Sequence, residues 1–280
     1  MTSPALARFR RLVDCPDQDI NLAEAALAIA EEEYPELAAA PYLQRLDAMA
    51  GEVSRRAPGQ APVTDRILAL NRFLFQEQGF RGNKDDYYDP RNSFLNDVME
   101  RRVGIPITLS VIYLEMGWRV GLPLEGLSFP GHFLVKCEVP DGAIVLDPYA
   151  SGNSVGVEEL KRRLALVYGR AVTGDEVLNL LLASATRKDV LARMLRNLKA
   201  IYLNQSAFPA ALSMVERILM LYPHEPAEVR DRGIIYHGLE CFRAAQADLE
   251  RYLELLPRAR DARKIRERLA EISGRVARLN

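Results

Sequence analysis

Two stretches near the end of the chain repeat each other at a spacing of 34 residues. Tyr202 is followed by Tyr236, Ala211 by Ala245, Leu221 by Leu255 and Pro223 by Pro257. A recurrence of that length is too long for one strand or one ordinary helix. It reads as a helix–turn–helix unit, in which small residues let paired helices approach and a proline ends each second helix. Repeat one covers 192–225 and repeat two 226–259, with Arg260–Leu279 as a capping helix. Two units and a cap fall short of the three or so that stand alone. The module is therefore expected to pack on the rest of the chain.

The centre of the chain has a different grammar. From Asn92 to Gly152 it reads NSFLNDVMERRVGIPITLSVIYLEMGWRVGLPLEGLSFPGHFLVKCEVPDGAIVLDPYASG. Pro106 is pre-organised for a first helical turn, where its missing N–H has no partner to lose. Leu109, Ile112, Tyr113 and Met116 then fall on one apolar helical face. Gly121-Leu122-Pro123 turns the chain into an extended segment. A strand follows that carries His132, and the next strand ends in Asp147-Pro148. The predicted order is helix, His strand, Asp strand.

Around this centre the chain reads as helical. Asn21 with Glu24 has the form of a capping box before the stripe Leu22, Ala26, Ile29, and Tyr34-Pro35 interrupts that helix. Tyr42, Leu46, Met49 and Val53 predict a second helix, and a third is expected to open at Thr64 with Ile67, Leu70 and Leu74 buried. The linker from Gly79 to Arg91 is dense in turn formers and charge. Its aspartates Asp85, Asp86 and Asp89 lack the alternating oxygen ligands of a calcium loop, so no metal is assigned. Asn92 or Ser93 is expected to cap a helix running through Arg102.

The central segments resemble the transglutaminase-like families. DVMERRVGIP resembles the segment leading into their nucleophile, written G-x-C. WRVGLPLEGL resembles R-x-x-G-I-P-A-R-x-x-x-G with its Arg displaced by one position. GHFLV resembles the H-A-W-x-E strand, and LDPY the D-P-T strand end. FRGNKDDYYDPRNSFLNDVMERRVGIPITLSVIYLE, with GLPLEG, PGHFLV and DPY, is similar to the bacterial SirB-type family, which joins a transglutaminase-like domain to tetratricopeptide repeats. Gly233, Tyr236, Ala245 and Pro257 fall where that repeat uses those residues.

The resemblance implies an α+β fold: a transglutaminase-like (papain-like) domain with N-terminal helices, then an all-α repeat module. The boundaries expected are 1–62, 63–175 and 176–280. It also implies a cysteine-type site, in which a thiolate at a helix start is served by a His base oriented by a carboxylate. His132 and Asp147 match the base and its partner. The nucleophile position is Pro106, which has nothing that can attack a carbonyl. By helical geometry Ser110 lies one turn on, rotated by about 40°, and Thr108 is rotated by about 200°. Ser110 is the better of two weak substitutes, since a helix-interior hydroxyl usually bonds to its own backbone. Cys137 alternates to the strand face opposite His132.

With 49% hydrophobic and 27% charged residues the chain has the balance of a soluble protein. A net charge of −1 excludes a strongly basic nucleic-acid binder, but the charge is uneven. From Thr186 onward there are 18 Lys+Arg and 12 Asp+Glu, against 19 and 26 before it. The basic residues near the C-terminus are not interleaved with the aromatics that stack bases. Cys15, Cys137 and Cys241 are far apart, as expected of reduced thiols in the cytoplasm. Neither a signal sequence nor an apolar run of membrane length stands out. The expectation is a non-catalytic, protein- or peptide-binding regulatory factor without a cofactor, using the repeat groove or the relic cleft. The alternatives are a cysteine-protease-like hydrolase or acyl transferase with an unusual nucleophile, and an accessory factor for a nucleic-acid process.

Overall fold

The computed structural model describes residues 3–140 and 142–278. They divide into two compact units, one of Cys15–Met194 and one of Met1–Asp14 with Leu195–Asn280. The first helix, α1 (Pro4–Val13), belongs to the second of these.

The unit Cys15–Met194 begins with α2 (Leu22–Ala30), α3 (Ala39–Arg56) and α4 (Val63–Asn71), the last continuing as a π-helical turn over Arg72–Glu77. Strand β1 (Arg81–Gly82), helix α5 (Leu95–Arg101) and strand β2 (Val103–Gly104) lead into α6 (Pro106–Arg119). The parallel pairing of β1 with β2 ties the charged linker to the start of α6. Helix α6 was expected to bury one face. It is buried on every side from Pro106 to Gly117, as a helix at the centre of a core must be. A Cβ on Gly117 would sit 2.1 Å from Leu124 Cδ1, so only glycine lets α6 approach the sheet so closely.

That sheet is antiparallel, with β3 (Leu124–Leu127), β4 (Leu134–Val139), β5 (Gly142–Asp147) and β6 (Asn153–Ser154) in that order. Val139 pairs with Gly142 across the turn at Pro140-Asp141, of which Asp141 lies outside the described residues. Leu124 opposite Cys137 marks one face, toward Gly117 and Tyr113 of α6. Leu127, Leu134 and Val145 mark the other, packed on Leu160, Leu164 and Val177 of α7 (Val157–Tyr168) and α8 (Gly174–Leu182). The sheet thus separates α6 from α7.

The second unit is helical. Its elements after α1 are the later turns of α9 (Arg187–Asn204), then α10 (Phe208–Leu221), α11 (Pro226–Gly238), α12 (Phe242–Leu255) and α13 (Ala262–Arg278). Ala211 and Ala245 are fully buried, and a Cβ on Gly233 would sit 2.9 Å from Leu249. These small residues set the helix spacing. Glu228 on α11 is held by Arg196 and Lys199 of α9, at 2.8 and 2.7 Å. Helix α1 packs on α10, with Leu6, Phe9 and Val13 buried. Of the expected capping helix, Leu279 lies outside the described residues.

Some local expectations are corrected. Helix α2 ends at Ala30, before Tyr34-Pro35, and α4 begins at Val63 with Pro62 in the N-cap position. Asn21 does cap α2, its side chain accepting the Glu24 N–H at 3.1 Å. Neither Asn92 nor Ser93 caps α5. Asn92 instead takes the Asn83 side chain at 3.0 Å and donates to the Asp86 carbonyl at 2.7 Å, leaving Phe94 at the cap position. The helix stops at Arg101, because Arg102 is left-handed at φ +58°.

Candidate functional site

His132 does not sit on a strand. Phe129-Pro130-Gly131-His132 is a β-turn closed by the His132 N–H donating to the Phe129 carbonyl at 2.9 Å. Proline at the second position and glycine with φ +72° at the third are the type II pattern. Strand β4 begins two residues later, at Leu134.

Asp147 closes β5 and caps the short 3₁₀ turn Pro148–Ala150. Its Oδ1 accepts the Tyr149 and Ala150 N–H groups at 3.1 and 3.3 Å. The same oxygen lies 3.0 Å from His132 Nε2. Oδ2 accepts Nη1 of Arg163, from α7, at 2.9 Å. The carboxylate is 3% exposed, with three donors on Oδ1 and one on Oδ2. Burial alone would raise its pKa, but His132 and Arg163 hold it below the ordinary value. The sequence analysis does not single out Arg163. Its Nε also donates to Glu159 Oε1 of the same helix at 2.8 Å.

Tyr149 completes the surroundings. Its ring meets His132 edge-on, with centroids 5.9 Å apart, and its hydroxyl donates to the Asn83 carbonyl at 2.8 Å. A Cβ on Gly82 would sit 2.4 Å from that ring. Burial and then the neighbouring Tyr87 hydroxyl push the Tyr149 pKa up. Tyr87 and Tyr88 pack edge to face at 5.4 Å, and Tyr88 is 71% exposed. On the other side of the turn, a Cβ on Gly131 would lie 3.7 Å from Val167, whose neighbour Leu166 is 76% exposed.

The nucleophile candidates are elsewhere. Pro106 opens α6 as expected, and Thr108 serves the helix start. Its Oγ1 accepts the Ile105 N–H at 3.2 Å and donates to the Asn92 carbonyl at 2.7 Å. Ser110 is fully buried and its Oγ has no hydrogen-bond partner among the described residues, so it bonds neither to His132 nor back to its own helix. The reason it misses His132 lies in the sheet. Ser110 falls two turns before Gly117, on the side of α6 that meets Leu124. Asp147 follows Val145 by two, on the side of the sheet that meets α7. Cys137 is buried on the α6 side, and burial pushes its thiol pKa up. In the linker, Asp89 is held by Arg91 at 2.8 Å and by Arg101 at 3.3 Å. Among the described residues no three His, Cys, Asp or Glu side chains are grouped to hold a metal ion, and no helix is long and apolar enough to cross a membrane.

Residues 40–196 match the transglutaminase-like superfamily, and residues 198–270 match the tetratricopeptide repeat. The chain is 40% identical to the UPF0162 protein of Xylella fastidiosa (strain 9a5c), over 96% of this chain and 95% of that one. It is 33% identical to the UPF0162 protein of Vibrio cholerae, over 69% and 70% of the two chains. It is 28% identical to Protein SirB1 of Salmonella typhimurium, over 82% and 84%.

Proposed function

The chain belongs to the transglutaminase-like superfamily, in the branch of the UPF0162 and SirB1 proteins, and we propose that it is a non-catalytic member that acts by binding a protein or peptide partner. The observation that carries this reading is Pro106 in the nucleophile position. In the cysteine-type layout the attacking sulfur sits at the helix start, where the helix dipole and an imidazolium favour the thiolate. A proline amide nitrogen has no available lone pair, and its ring carbons carry no group to attack with.

The environment of His132 supports the same reading. A catalytic carboxylate orients its His and stabilises the imidazolium that forms during proton transfer. Asp147 is already neutralised by the Arg163 guanidinium, which weakens that stabilisation. The arrangement closes β5, the Pro130-Gly131 turn and α7 into one piece. It is a clamp.

Two surfaces remain for a partner. Tetratricopeptide modules hold segments of other proteins on their helix faces, and exposed tyrosines such as Tyr87 and Tyr88 beside the His132 turn are the residues that dominate many interfaces. Binding there serves regulation, not turnover. Cys15, Cys137 and Cys241 stand outside any disulfide, which fits a protein at work in the reducing cytoplasm.

Photo-crosslinking in cells from a benzophenone amino acid at position 88 tests the proposal. The binding reading expects the same crosslinked species from the otherwise unaltered protein and from His132→Gln. A species trapped as an acyl adduct, and lost in His132→Gln, would make the hydrolase or acyl-transferase alternative the correct one.

A further inference from the structure

A group of basic side chains gathers at the end of the repeat module. His237 lies in the last turn of α11 and Phe242 opens α12. Their rings are 6.0 Å apart and tilted by 56°. The guanidinium of Arg275, from α13, lies 5.3 Å from the Phe242 ring centroid. Phe242 is thus shared between the His237 ring and the Arg275 guanidinium.

Helix α13 faces α12 with Ile265, Leu269, Ile272 and Val276. Lys264, Arg268 and Arg275 follow one line beside that apolar stripe, because steps of four and seven residues return to nearly the same helical direction. Among the described residues neither Arg268 nor Arg275 has a carboxylate partner within ion-pair distance. The charged groups that act on His237 are Arg268, Arg275 and the opposing Glu271, all from α13. The adjoining α12 presents Phe242, and Gly238 beside His237 meets the Phe208 ring of α10.

We propose that His237, Arg268 and Arg275, with Lys264 further along the same line, bind the carboxylates of an acidic segment of a partner protein. Guanidinium forks pair bidentately with carboxylates. From Lys264 to Arg275 the line spans about 16 Å at 1.5 Å per residue, which about five residues of an extended segment cover. A nucleic acid is disfavoured, because the Phe242 ring is already covered by Arg275 and the basic line on α13 carries no aromatic residue to stack a base. The surplus of Arg and Lys after Thr186 would steer an acidic segment toward this end. Burial, then Arg268 and Arg275, depress the pKa of His237. The free site therefore holds a neutral His237 near neutral pH, and a bound carboxylate favours its protonation.

This inference rests on the protein acting by binding partners, but its test reads peptide affinity in α13 charge variants and not the crosslink from position 88, so either can fail alone. The test is fluorescence anisotropy of the full chain with a labelled oligo-glutamate peptide and, separately, a labelled single-stranded oligonucleotide. The expected result is peptide binding that weakens with salt and falls about tenfold or more in Arg268→Glu/Arg275→Glu. Arg10→Glu, an exposed charge reversal in the same unit, should leave it unchanged. In the unsubstituted protein, the His237 ring titration followed by NMR should move to higher pH when peptide is added. Arg268→Gln/Arg275→Gln, which adds no negative charge, should give the same direction of change should the reversal variant melt early. The proposal is overturned by equal peptide affinity in the charge variants, by no peptide binding to a natively folded protein, or by tighter binding of the oligonucleotide.

Discussion

His132 Nε2 lies 3.0 Å from Asp147 Oδ1, and the other oxygen of that carboxylate is bonded to Arg163. The three side chains come from a turn, a strand end and a helix, so the contact fixes the relative positions of three elements. Asp147 is its hub, with four donors around one buried carboxylate.

Removing the hub should therefore cost more than removing a spoke. Asp147→Asn leaves Arg163 without its buried partner and is expected to lower stability by about 2–4 kcal/mol. His132→Ala removes one partly exposed hydrogen bond and should cost about 1 kcal/mol. Urea unfolding of the two variants checks the order. Equal losses would show that His132 carries more of the structure than its bonds imply.

The pH dependence has a definite sign. The Asp147 pKa is lower in the folded chain than its ordinary value of 3.8. A depressed carboxyl contributes stability that is fully present above the unfolded value and is lost as pH falls through the folded one. The stability gap between the natural chain and Asp147→Asn should be constant from about pH 7 to 5 and shrink below about pH 4. Denaturation curves across that range measure it.

Close approach makes a third prediction. Gly82→Ala would put a methyl 2.4 Å from the Tyr149 ring, and the backbone of β1 is held by its pairing with β2. The ring must move, breaking its contact with His132 or its bond to Asn83. A loss of about 1–3 kcal/mol is expected, with altered Tyr149 NMR shifts. In the repeat unit, Ala211→Leu and Ala245→Leu overfill sites with no exposure and should lose a similar amount.

The thiols should separate by exposure. Cys241 is exposed, whereas Cys137 is buried with its pKa pushed up, so thiolate chemistry there is doubly suppressed. Reaction with a disulfide reagent should label Cys241 readily and Cys137 only on unfolding, as read by mass spectrometry of tryptic peptides. A Cys→Ser variant at all three positions should keep its binding partners.

Much of this was legible in the sequence, for physical reasons. Pro106 names a helix start because its φ is fixed, and the spacing of 34 residues names helix pairs because a unit of that length holds two helices and their turns. Pro130-Gly131 could have been recognised as a type II turn, which would have placed His132 before its strand. The partnership of Arg163 with Asp147 could not be read. Arg163 lies 16 residues from Asp147 on a helix that offers three successive bases, Lys161, Arg162 and Arg163, and only the packing of α7 on the sheet selects among them. The cap of α5 was misassigned because the Asn92 side chain had a stronger use, bridging Asn83 and the linker carbonyls. The burial of Ser110 without a hydrogen bond also had no local signal. It follows from α6 being enclosed on all sides.

The central claim is that this transglutaminase-like protein has no nucleophile for His132 to serve. Intact-mass spectrometry after incubation with thiol-directed and hydroxyl-directed acylating probes tests it most directly, on the natural chain and on His132→Gln side by side. The account predicts that any adduct is slow, falls on exposed groups such as Cys241, and is the same in both proteins. A stoichiometric adduct on Ser110, or on another hydroxyl or thiol, that disappears in a folded His132→Gln variant would contradict it.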